Sequence, residues 1–150
     1  MALLTTIADV VVDLINDEVG GSGVTVERVY LPLYDRKDEP GLKIFVVGLS
    51  QSVNEGNRSA DLVSYQIRVA IYNEVDPQDV DEVDLMVGFT ESLMSVLRAN
   101  HHLQIGTDAT AELILPVEND PAYDPVQLDS HQTFVSVIAL EYRVLLEVEI

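Results

Sequence analysis

The hydrophobic positions of the chain change period several times, and each change marks an element. Between residues 7 and 18 they fall at Ile7, Val10, Val11, Leu14 and Ile15, the i, i+3, i+4, i+7, i+8 spacing of one helix face. Asp9, Asp13, Asn16 and Asp17 take the other side. Thr6 suits the N-cap, with Asp9 three residues on. Gly20-Gly21 supplies a stop, because glycine accepts the left-handed conformation past a helix end. Alternation then replaces the helical period. Residues 24–31 are rich in Val, Thr and Tyr and end at Pro32. Residues 42–49 are nearly all apolar at Ile44, Phe45, Val46 and Val47, as in a strand covered on both faces. In 62–72 the alternation is clean. Val63, Tyr65, Ile67, Val69 and Ile71 line one face, and Ser64, Gln66, Arg68 and Ala70 line the other.

Asp76-Pro77 predicts the start of a second helix, with Asp76 as cap and Pro77 at the first helical position, where its missing N–H does no harm. Asp79, Asp81, Glu82 and Asp84 follow at the positive end of the helix dipole. Val83, Met86, Val87, Leu93, Met94 and Leu97 form its apolar stripe, and Arg98 stands near its C-terminus. Residues 111–117 alternate again. A final strand is expected over 134–150, its odd positions turning polar at Glu141, Arg143, Glu147 and Glu149. That length exceeds the usual ~5–6 residues, so the strand should outrun its sheet or bend at a bulge. The order is α-β-β-β-α-β-β. Few crossover helices separate the strands, which favours antiparallel pairing. The expected fold is therefore α+β: one domain over residues 1–150, a single mostly antiparallel sheet, and two helices packed on one face. Segments 32–41, 50–61 and 116–133 read as long polar loops, which in compact domains are usually functional or mobile.

Charge narrows the function. The chain has 150 residues with Asp+Glu 26 against Lys+Arg 8, a net charge of −18, yet it is 47% hydrophobic. High charge without low hydrophobicity is not the composition of a disordered chain. Roughly 150 residues can bury ~70% of their unfolded surface, enough for one sizeable core. The negative field argues against a basic groove that grips nucleic acid and against an anionic membrane. Cysteine is absent, which removes disulfides, thiolate metal sites and a thiol nucleophile. Residues 1–18 lack the positive start of a signal peptide, and no stretch approaches ~18 consecutive apolar residues. The expectation is a soluble protein that stays where it is made.

Candidate chemistry is sparse. His101 and His102 are adjacent at a helix end, and His131 is distant in sequence. Adjacent residues do not share a helical face, so the pair suits a helix C-terminus better than one metal ion. Asp79, Asp81 and Asp84 lack the glycine and distal glutamate of a calcium loop and read as the start of a helix; a weak divalent site is the other reading. No G-x-S-x-G elbow and no glycine-rich phosphate loop occurs. The expectation is a protein that is not an enzyme and holds no metal or cofactor. Two arginines stand out. Arg58 is the sole cation of segment 50–61, and Arg68 sits mid-strand, where it is either a solvated face residue or half of an inter-subunit ion pair.

The layout as a whole resembles a known family. It combines I-A-D-x-V-x-x-L-I (7–15), N-R-S-A-D-L-V-S-Y-Q-I-R-V-A-I-Y (57–72), D-P-x-D-V-D-E-V-D-L-M (76–86) and F-V-S-V-I-A-L-E-Y-R-V (134–144). This is similar to the tail-terminator, or tail-completion, proteins of long-tailed phages and related tailed viruses. The resemblance implies an α/β domain that assembles as a homo-oligomeric ring, usually a hexamer. Such a ring caps the tail-tube protein when growth stops and presents its other face to a neck or connector protein. It implies a virion protein at the head-proximal end of the tail, made in the host cytoplasm. DNA would pass through the lumen without specific binding, and no membrane would take part. Another neck or head-completion ring of the same particle is the alternative. A ring needs complementary sides, and long loops and an overlong last strand could supply them. The ring-interface candidates are Arg58, Arg68, Glu141 and Arg143. The acidity then has two readings, a channel that lets DNA slide or a surface adapted to high salt.

Overall fold

The computed structural model describes residues 3–19, 24–30, 41–55, 60–105 and 109–147. These form three helices, α1 (Leu3–Val19), α2 (Val80–Ala99) and α3 (Pro125–His131). They also form six strands: β1 (Thr25–Arg28), β2 (Lys43–Glu55), β3 (Ala60–Glu74), β4 (His102–Ile105), β5 (Ala109–Glu118) and β6 (Thr133–Glu147). The strands make one curled sheet in the order β1-β2-β3-β6-β5-β4. Only β1 runs parallel to its neighbour; the other four pairings are antiparallel. The fold is α+β, as the pattern predicts. None of the helices among the described residues is long and apolar enough to cross a membrane.

The core lies on one side of the sheet. Val63, Tyr65, Ile67, Val69 and Ile71 of β3 face it, with Phe134, Ile138, Leu140, Tyr142 and Val144 of β6 and Ile44 and Val46 of β2. Against them α1 sets Ile7, Ala8, Val11 and Ile15, all 0% exposed. α1 touches β1, β2 and also β4, so the sheet curls around it and brings its two ends to one helix. α2 contributes Met86, Leu93 and Leu97 with Thr90, whose Oγ1 donates to the Met86 carbonyl at 3.0 Å. Each large aliphatic side chain buried here stabilises by about 1.5–3 kcal/mol, more than a helix cap does. At Gly48 α1 passes close over β2, since a Cβ there would lie 2.9 Å from Leu4 Cγ.

Several boundaries differ from the sequence expectation. α1 begins at Leu3, so Thr6 lies inside the helix and not at its cap. α2 begins at Val80 and not at Pro77. Its N-cap is Asp79, which accepts a hydrogen bond from Glu82 N at 3.2 Å. Asp76 instead closes a turn, accepting from Gln78 N at 2.9 Å. Segment 50–61 is largely strand: β2 runs to Glu55, paired with β3 through a bulge between Gly48 and Ser50. Segment 116–133 holds the end of β5 and all of α3, capped by Asp124, which accepts from Val126 N and Gln127 N. β4 is a further strand. β6 is long but does not bulge against β3; it pairs along all 15 residues. Its other edge is filled in two pieces. β5 pairs over residues 139–143, and below that residues 119–124 run alongside. There Asn119 Nδ2 donates to Val137 O at 2.8 Å and Asp124 N to Val135 O at 2.9 Å.

Candidate functional site: the open sheet face and the unpaired edge

The face of the sheet opposite the helices gathers three of the four interface candidates. Cross-strand partners in a sheet share a face, so the register places side chains directly. Ser64 of β3 pairs with Arg143 of β6, which pairs with Glu112 of β5, which pairs with His102 of β4. The next row is Gln66, Glu141 and Ile114, and the next is Val47, Arg68, Ala139 and Glu118. Arg68, Glu141 and Arg143 therefore stand together. Arg58 lies outside the described residues.

Their electrostatics differ. Arg143 Nη2 lies 3.2 Å from Glu141 Oε2, two residues back on the same face. Both are partly exposed, and such a solvent-screened pair contributes ~0–1 kcal/mol. Arg143 Nε is buried without a hydrogen-bond partner among the described residues. Arg68 is half-buried and makes no ion pair among the described residues. Ala139 separates it from Glu118 across two strand spacings, roughly 10 Å between Cα atoms. Between them lies a shallow hollow of about 210 Å³, lined by Gln66, Arg68, Ile114, Glu118 and Glu141. Glu118, Ile114 and Gln66 were not candidates in the sequence, because no local pattern fixes the register of β5 on β6. On the core side of β6, the buried Tyr142 hydroxyl also lacks a hydrogen-bond partner among the described residues, and burial pushes its phenol well above the usual range.

A second feature is the outer edge of β2. Among the described residues β1 covers it from Lys43 to Val46, and the last bond they make on that side is Val29 N to Val46 O at 3.0 Å. Beyond it Leu49, Ser50, Gln51, Ser52 and Val53 are all exposed, and no strand among the described residues pairs with this edge. Val53 is 62% exposed, whereas Val63, its partner across the β2–β3 ladder, is 4%. The contrast shows that the exposure belongs to the edge and not to the face.

The metal candidates do not assemble. His101 and His102 tilt against each other with ring centroids 4.2 Å apart, but among the described residues no group of three metal-ligating side chains converges. Asp79 is engaged as a cap, and Asp81 and Asp84 are exposed. Compared with known proteins, the chain matches no protein-family model and no curated protein.

Proposed function

We propose that this protein is a structural ring-former of a tailed virus, capping the tail tube and joining the tail to the head-side neck. The observation that carries the reading is the side of the sheet away from the helices, where the half-buried Arg68 stands without an ion pair among the described residues. A contact between this face and an unlike surface of the next copy closes into a ring when the rotation between copies allows it. The viral setting rests on the resemblance of the element layout, and the role asked of the chain is assembly, with no reaction chemistry.

The acids fit a channel role. Asp9, Asp13, Asp17, Glu18, Asp81, Asp84 and Glu91 are exposed on the helical side of the protomer. A ring that turned this side inward would repel phosphates and let a duplex slide. Sedimentation of the purified protein with negative-stain imaging tests the reading, at low and molar salt, with and without magnesium. The expected species is several times the 16.6 kDa protomer, with a central opening. The Arg68→Glu variant should weaken it while the protomer stays folded. A monomer under every condition overturns the ring. A ring that purified virions do not carry at the head-proximal end of the tail overturns the terminator role.

A further inference from the structure

We propose that the unpaired edge of β2 binds the same edge of a second copy of this chain, antiparallel and centred on Gln51. An exposed edge is a template for pairing, and proteins usually blunt it with lysine, proline, short length or a bulge. Residues 47–53, V-G-L-S-Q-S-V, contain no lysine, no proline and no charged side chain, in a chain of net charge −18. Two copies meeting here bring no like charges opposite one another. The bulge that leaves Leu49 without a partner on β3 sets the N-terminal limit of the pairing segment.

The segment is also its own complement. A two-fold axis through Gln51 sets Leu49 opposite Val53, Ser50 opposite Ser52, and Gln51 opposite its copy. Apolar meets apolar, hydroxyl meets hydroxyl, and amide meets amide. Leu49 and Val53 are 53% and 62% exposed, and both become covered. A slip of one residue sets Leu49 opposite Ser52 in one direction and Val53 opposite Ser50 in the other, so the pattern selects a single register. The contact is isologous and cannot close a ring by itself. It pairs two rings back to back, or two protomers where no ring forms, and so stands apart from the ring reading.

The absence of cysteine makes the test clean. Gln51→Cys places one thiol at the two-fold axis, and Ser95→Cys places one on the exposed side of α2. Under mild oxidation Gln51→Cys should form covalent dimers at least about tenfold faster than Ser95→Cys, because pairing raises the effective thiol concentration. In sedimentation, Val53→Lys should halve the wild-type mass with an unchanged circular dichroism spectrum. Equal cross-linking of the two cysteine variants overturns the proposal. So does an unchanged mass for Val53→Lys. If that unchanged mass is a ring, only the edge pairing falls; if it is a monomer, the ring reading falls with it.

Discussion

Ile67 and Arg68 are neighbours in β3, yet they belong to different molecules in a physical sense. Ile67 is 0% exposed and meets the side chains of the helix-lined core. Arg68 faces the open side, half-buried and without an ion pair among the described residues. The same alternation runs through β6, where Leu140 and Tyr142 point inward and Glu141 and Arg143 outward. One face of the sheet is filled by the chain itself. The other buries Phe45, Val47 and Ala70 but leaves Arg68, Glu141 and Arg143 partly exposed. Stability should therefore reside on the first face and recognition on the second.

Substitutions can break that separation. The largest expected effect is Ile67→Ala, which should cost about 2–5 kcal/mol by urea unfolding, the range for cavities in packed cores. A loss as large from a truncation at Arg68 would erase the distinction. Gly48→Val should cost about 1–3 kcal/mol by overpacking against Leu4. The companion change Leu4→Ala should recover part of this if the clash is the cause. Tyr142→Phe should raise stability at neutral pH by about 1 kcal/mol, since it removes a buried hydroxyl that has no hydrogen-bond partner among the described residues. Burial raises the folded-state phenol, so the folded chain holds its proton where the unfolded chain releases it. Stability is then full below about pH 10 and falls as pH rises further. Tyr142→Phe should flatten that alkaline decline, leaving the smaller share of Tyr65 and Tyr72, whose phenols burial also raises. The smallest effect is Arg143→Gln, at most about 0.5–1 kcal/mol by thermal unfolding, because its exposed pair with Glu141 contributes little. The same variant should weaken self-association more than it weakens folding.

The two faces were legible in sequence because alternation is a local property: Val63 to Ile71 and Gln66 to Arg68 declare their sides without knowing their neighbours. The partners of Arg68 were not, since the meeting of Glu118 with Ala139 depends on strands joined through α3. The outer part of β2 was hidden for another reason. Its run Ser50, Gln51, Ser52 is polar because it stands on an edge, and an edge strand without apolar alternation resembles a loop. Two of the three Asp-Pro pairs show where turn chemistry is ambiguous. Asp124-Pro125 opens a helix, while Asp76-Pro77 closes a turn and yields the cap to Asp79. The dipeptide is the same, and the choice falls to a second acid three residues later that can accept from Glu82 N.

The strand that comes last in order among the described residues is also a central one. β6 lies between β3 and β5, and without it the sheet separates into β1-β2-β3 and β5-β4. During synthesis those two pieces leave the ribosome before it, with their inner edges unsatisfied until the 15 residues of β6 follow. The sheet then closes by insertion, a step dominated by contacts distant in sequence and hence slow. A chain that stops before β6 leaves β3 and β5 without the strand that joins them and cannot complete the core.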